Sequence, residues 1–183
     1  VPRTVSAVTT ALTTALAEIA QAIQDLIDPD SDLQEQIAHL DSIPGVGDKT
    51  VLPLFVLLAR WDVLTGGCGS AKALTAFVGL DAHTHQSGHS TRRGGISKTG
   101  DPELRRLLFM AALGGKRKHG DNPLRSFYER LVGRGKLRMV ALVAAARKIL
   151  VWAWAVFRSH TNFDPARPAH ASAHASAHAS AHA

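Results

Sequence analysis

Leu33–Arg60, LQEQIAHLDSIPGVGDKTVLPLFVLLAR, is the stretch on which the reading of this chain turns. Leu33, Ile37 and Leu40 recur at helical spacing behind Ser31 and Gln34, a capping-box pair, so a helix enters the stretch. Ile43-Pro44-Gly45-Val46-Gly47 makes a tight turn, and a second helix from about Asp48 carries Val51, Leu54, Phe55 and Leu58. Pro53 falls in the first turns of that helix, where proline is tolerated and can kink it. Composition agrees with helices: aromatics are 5% of the chain while Ala, Leu and Val dominate, which disfavours a sandwich or barrel. The expected fold is all-α.

Working outward, Val8, Leu12, Ala15/Leu16, Ile19, Ile23 and Leu26 trace an amphipathic helix over about residues 5–27, ended by Asp28-Pro29-Asp30. Residues 1–31 read as a coiled-coil-like helical arm whose apolar stripe needs a partner helix, in the same bundle or in a second copy. Residues 32–164 read as the main helical domain, with a helix-hairpin-helix at 33–60. Beyond it, Gly66-Gly67 and Gly69 interrupt the chain and Ser70 caps a helix over Ala71–Val78. Residues 79–100, with five glycines and many polar side chains, read as a long functional loop or hairpin. Asp101-Pro102 opens a helix through Leu113, Asn122-Pro123 opens another through Val132, and a last helix runs from about Lys136 to Phe157. Residues 165–183 are low-complexity: an Ala-His-Ala-Ser repeat without large apolar side chains, read as a disordered tail. Its histidines, His170, His174, His178 and His182, have a spacing that chelates metal on a helix, though a slipped codon repeat is the simpler account.

At 183 residues, 45% hydrophobic and 20% charged, the chain can build one compact core plus an arm. Cys68 is the only cysteine, which excludes a disulfide framework and a cysteine zinc finger and suits a reducing compartment. No secretory signal is visible at VPRTVSAVTT, Val51–Ala59 is too short to span a bilayer, and Arg147-Lys148 interrupts Val140–Phe157. The chain reads as soluble, with no membrane partner. Its net charge of +6 hides a split. Residues 1–42 carry one base and seven acids, whereas residues 43–168 carry twenty bases and eight acids. A body so cationic attracts polyanions, nucleic acid first and an anionic membrane surface second.

Three features carry chemistry. In the turn, Gly45 and Gly47 let backbone approach a ligand, Lys49 adds a cation, and the following helix start aims its N–H groups outward. That inventory suits one DNA phosphate, gripped without sequence readout; the alternative is a plain turn between packed helices. The second feature is the loop from Gly79 to Gly100, where Ser87 or Ser90 lies among Arg92, Arg93 and Lys98, just before a helix with Arg105 and Arg106. A serine attacking a phosphodiester needs a proton acceptor and cations on the phosphate oxygens, and this loop holds both kinds of group. A loop of that composition also serves simply as a DNA contact. His83, His85 and His89 could take the serine proton or lie exposed near phosphate; no recognisable metal site completes around them. The third feature is a run from Arg92 to Arg138 with thirteen bases and four acids, better read as a polyanion track than as an ordinary solvated face.

Taken in order, Ile43-Pro-Gly-Val-Gly47, Phe77-Val-Gly-Leu80, Gln86-Ser-Gly88, Gly95-Ile-Ser-Lys-Thr-Gly100, Leu104-Arg-Arg-Leu-Leu108, Phe127-Tyr-Glu-Arg-Leu131, Arg134-Gly-Lys136 and Ala141–Leu150 resemble the C-terminal half of insertion-sequence 110 family transposases, the 110/1111 type, across roughly residues 32–164. The resemblance implies a mostly helical domain whose serine forms a covalent phosphoserine link to DNA during strand exchange. That serine falls on Ser87, with Ser90 as runner-up. Arg92, Arg93, Lys98 and Arg105 become phosphate contacts, with Arg106 beside them. It further implies DNA partners (element ends and target), in some members a structured guide RNA, oligomers joined through the arm, and a place in the bacterial cytoplasm at the nucleoid. Such transposases begin with a RuvC-like domain whose acids bind magnesium. No residues here match it, so the expectation is a truncated chain with no cofactor or metal of its own, binding nucleic acid but incompetent alone. A non-enzymatic helix-hairpin-helix module, or a guide-RNA-binding subunit, is the rival reading.

Overall fold

The computed structural model describes residues 2–87, 90–116 and 122–166, of which 2–4, 83–87 and 90–94 are described along the backbone. The Ala-His-Ala-Ser tail expected to be disordered lies outside the described residues. The described residues form seven helices and one two-stranded hairpin, so the all-α expectation holds. The order is α1 (Pro2–Ile27), α2 (Ser31–Asp41), α3 (Asp48–Leu64), α4 (Ala71–Val78), β1 (Ala82–Ser87), β2 (Ser90–Ile96), α5 (Pro102–Gly115), α6 (Pro123–Gly133) and α7 (Arg138–Ser159). Residues 1–36 and residues 37–183 form two compact units, dividing inside α2.

In the first unit, α1 keeps one side apolar along its length. Val5, Val8, Leu12, Leu16, Ile19, Ile23 and Leu26 are each 40–75% exposed. Thr9, Thr10, Thr13 and Thr14 spend their hydroxyls on carbonyls four residues back, so these β-branched residues stay compatible with helix. The start of α2 departs from the capping-box reading. Asp30, not Ser31, is the cap: its Oδ1 accepts from Leu33 N at 3.0 Å, while the Gln34 side chain donates to Asp28 O at 2.9 Å. A carboxylate satisfies the orphan amide and also complements the positive helix end, which a hydroxyl does less well.

The second unit is built around α7. Ala141, Ala145, Ala146, Ala153, Ile149, Leu150 and Trp154 of this helix are buried, and α3, α4, α5 and α6 all pack on it. Small alanines on α7 and Ala111, Ala112 and Gly115 on α5 let helices approach closely, and Leu40, Leu58, Leu74, Leu108 and Leu124 fill the space between. Each fully buried leucine contributes about 1.5–3 kcal/mol of apolar transfer. The apolar run of α7 is therefore core, although by length and composition it could cross a membrane.

Caps follow the sequence closely here. Ser70 accepts from Ala73 N, Asp101 from Glu103 N, and Asn122 from Leu124 N and Arg125 N. Asn122 also donates to Gly115 O at 2.6 Å, tying the end of α5 to the start of α6. Arg158 closes the far end by bonding Asp62 at 3.0 Å and Gly67 O at 2.6 Å. Residues 82–96 take the hairpin alternative of the loop reading. Ala82 pairs with Ile96 and Thr84 with Arg93, so β2 carries one extra residue around Gly94-Gly95, a bulge.

Candidate nucleic-acid interface

Two surfaces gather the residues singled out by sequence. The first is the turn between α2 and α3. Ile43 and Val46 are buried and anchor it, with Val46 N donating to Ile43 O at 3.0 Å. Gly45 has φ +98°, and a Cβ there would lie 2.5 Å from Ala111 O and 3.2 Å from Gly115 Cα. Its missing side chain is thus demanded by contact with α5, independently of any ligand. Gly47 differs: it is extended, caps α3 without a side-chain bond, and has open space where a Cβ would be. Asp48 and Lys49 are exposed in the first turn, so uncapped amides, the helix dipole and one ammonium face outward together.

The second surface is the β1–β2 hairpin, and its base is the better-determined part. Gly79 closes α4 in a left-handed conformation (φ +77°), where a Cβ would sit 2.6 Å from Thr99 N. A Cβ on Gly100 would sit 2.7 Å from Val78 C, so the two glycines allow the backbones entering and leaving the hairpin to touch. Ser97 donates its hydroxyl to the Asp81 carboxylate, and Ser97 N bonds Asp81 O at 3.1 Å. Thr99 reaches Ala76 O at 3.2 Å, and Leu80 is buried beneath. Arg105 spans the knot, its guanidinium donating to Val78 O at 3.1 Å and to Gly100 O. These ties hold the hairpin's base to α4 and α5.

Within the hairpin, Ser87 and Ser90 are Cα partners, the last pair before the tip. Arg92 pairs with His85 and Arg93 with Thr84. Of the three loop histidines, His83 and His85 lie in β1 and His89 lies outside the described residues. Lys98, two residues past β2, is exposed with φ +58°, an uncommon conformation for a side-chain-bearing residue. The fold thus brings Ser87, Ser90, Arg92 and Arg93 into one hairpin with Lys98 at its foot.

Arg105 and Arg106 are already engaged. Arg105 holds backbone carbonyls, as above. Arg106 grips Glu103 through two nitrogens, at 2.8 and 2.5 Å, on the exposed side of α5. Hydrogen bonding from Arg106 holds the Glu103 carboxyl below the usual carboxylate range, and the same bond holds the Arg106 proton more firmly. Sequence reasoning did not single out Asp81, Ser97 and Thr99, which fasten the hairpin; the paired glycines at 79 and 100 were the signal that backbones meet there. Nor did it single out Lys148, whose Nζ lies 5.9 Å from the Phe127 ring centre and 5.4 Å from that of Trp152. The absence of any acid from Arg130 to Phe163 marked that region in the sequence.

Comparison with known proteins places these elements in context. The model of the family described as IS116/IS110/IS902 transposase matches residues 37–129, more than half of the chain. The pilin gene-inverting proteins of Moraxella lacunata and Moraxella bovis are each 32% identical over 152 residues, covering 82% of this chain and 45% of the relative. An insertion element IS110 protein of 43.6 kDa from Streptomyces coelicolor is 29% identical over 156 residues, covering 85% of this chain and 37% of its own length. The chain spans less than half the length of these relatives.

Proposed function

The chain belongs to the IS116/IS110/IS902 transposase family, and from that premise we propose that it serves DNA transposition or recombination as a DNA-binding and strand-transfer domain. Ser87 is the nucleophile, with Ser90 the alternative. In the attack, the Ser87 Oγ–phosphorus bond forms as one phosphorus–oxygen bond of the sugar-phosphate chain breaks. The hydroxyl proton passes to a base, for which His83, His85 and His89 are candidates, and the departing sugar oxygen leaves as a hydroxyl. A sugar hydroxyl from another strand then reverses the step and joins new partners. Arg92, Arg93 and Lys98 balance charge on the phosphate oxygens, while Gly45, Gly47 and Lys49 hold a neighbouring backbone phosphate.

The observation that carries this reading is the β1–β2 register: both candidate serines face each other at the end of a hairpin whose base is fastened at Asp81, Thr99 and Arg105. Such a platform presents a nucleophile without the entropy of a free loop. We assign magnesium to the acidic domain that the family resemblance implies. Among the described residues no three His, Cys, Asp or Glu side chains gather into a metal-holding group, and the roles given to this chain are binding, orientation and attack. DNA ends and target are the proposed partners, with a structured guide RNA and a second copy held through α1, and the setting is the bacterial nucleoid.

The test is an incubation of the chain on cognate element ends, with the acidic domain and guide RNA supplied, followed by denaturing electrophoresis. A protein–DNA adduct is expected, lost in Ser87→Ala and kept in Ser90→Ala. An adduct that survives Ser87→Ala removes Ser87 from its role. Absence of an adduct under every supplement leaves the second reading, a module that binds without chemistry, which the uncapped first turn of α3 with exposed Lys49 favours.

A further inference from the structure

We propose that the α6–α7 pair carries a separate phosphate-binding face, organised around Phe127, that grips nucleic acid along its backbone. The inference rests on the nucleic-acid reading above but uses none of its residues. Arg130 of α6 has its guanidinium carbon 5.5 Å from the Phe127 ring centre, and Lys148 of α7 places its ammonium 5.9 Å from the same centre. Trp152 holds Lys148 from another side, 5.4 Å away. Two cations from different helices therefore share one aromatic ring.

The contrast with other cations of this protein gives the arrangement its meaning. Arg106, Arg125 and Arg158 are each bonded to a carboxylate, Glu103, Glu129 and Asp62. Among the described residues, none of Arg130, Arg134, Lys136, Arg138, Arg147 and Lys148 is ion-paired. From Arg130 to Phe163 the sequence contains no acid at all. A ring face steadies a cation by its quadrupole but cancels none of its charge, whereas a carboxylate cancels it. Arg130 and Lys148 are thus held in place with their full charge left over. The exposed Arg134, Lys136 and Arg138, around the turn joining the two helices, extend the row. An extended row of uncompensated cations matches a polymer with a regular negative charge, and binding releases that polymer's condensed counterions. A small single anion would instead call for one enclosed pocket.

The test uses the full chain, a labelled duplex DNA of arbitrary sequence and a labelled stem-loop RNA, with affinity followed by fluorescence anisotropy across a salt series. Replacing both cations in Arg130→Gln/Lys148→Gln should make the slope of log affinity against log salt shallower by about two on duplex DNA, one for each phosphate released. The charge-keeping pair Arg130→Lys/Lys148→Arg should keep the wild-type slope, and circular dichroism confirms that each variant folds. If the double variant does not fold, Lys148→Gln alone should lower the slope by about one. A larger change on RNA than on DNA names RNA as the phosphate source. An unchanged slope on both, with binding lost instead in Arg92→Gln/Arg93→Gln, overturns this face and leaves the hairpin reading standing. Wild-type protein that binds neither nucleic acid overturns both. Loss of binding to phosphatidylserine vesicles, with nucleic-acid binding intact, would make the face a membrane contact and overturn it too.

Discussion

Gly45 and Gly47 are two residues apart in one turn, yet alanine should act on them in opposite ways. At Gly45 the new Cβ would meet Ala111 O at 2.5 Å and Gly115 Cα at 3.2 Å, both backbone atoms that cannot rotate away, and the φ of +98° is itself strained for alanine. The conformational part costs about 1–2 kcal/mol and the overpacking about 1–3 kcal/mol, so Gly45→Ala should lose about 2–4 kcal/mol. For a domain of this size that lowers the melting temperature by roughly 5–15 °C. At Gly47 the backbone is extended and nothing lies within reach of a Cβ, so Gly47→Ala should cost less than about 1 kcal/mol, the usual preference at a helix cap. A methyl there does stand where a phosphate would approach the first turn of α3, and DNA affinity should fall about tenfold, the worth of one lost charge-assisted bond. Thermal unfolding by far-UV circular dichroism and a DNA titration on both variants decide the matter. Gly45→Ala melting with the wild type would refute the seating of the turn on α5. Unaltered DNA binding by a folded Gly47→Ala would remove this turn from the interface.

Other expectations follow from the same contacts. Asn122→Ala should lose about 2–3 kcal/mol in urea unfolding, because it removes a cap and leaves Gly115 O without its donor; Asn122→Asp should lose less, since it keeps the cap. Arg105→Met should speed amide exchange across residues 82–96 more than elsewhere, since the guanidinium binds Val78 O and Gly100 O at the hairpin's foot. Leu12→Glu with Ile19→Glu should abolish self-association in sedimentation while leaving the main melting transition in place; self-association that persists would exclude the exposed stripe of α1 as its seat. Because hydrogen bonding lowers the Glu103 pKa, its contribution is present above the ordinary carboxylate range and fades as pH falls through the lowered value. Both partners are well exposed, so Glu103→Gln should leave the melting temperature unchanged at neutral pH, and a clear drop would contradict the surface character of the pair.

Much of the candidate site was legible because its signals are local. The turn at 43–47, the caps at Ser70, Asp101 and Asn122, and the Gly/Ser/Arg stretch all declare themselves within a few residues. Ser31 misled because two acceptors compete at one helix start, and the carboxylate of Asp30 prevails. Arg105 looked like a phosphate ligand because a charge in sequence carries no record of its partner; the carbonyls of Val78 and Gly100 come from residues 27 and 5 positions away.

By itself the sequence determined the helix order, the acidic arm set against a cationic body, and the placing of Ser87 among bases. Periodicity, caps and charge are properties of neighbouring residues and need no fold to be read. Only the tertiary structure decided which glycine is reserved for packing and which stands open, and which cations are already spent. It also brought Arg130 and Lys148 to one ring. Those outcomes depend on α5 and α7 crossing segments far away in the chain, and proximity between distant residues is written in no single stretch of them.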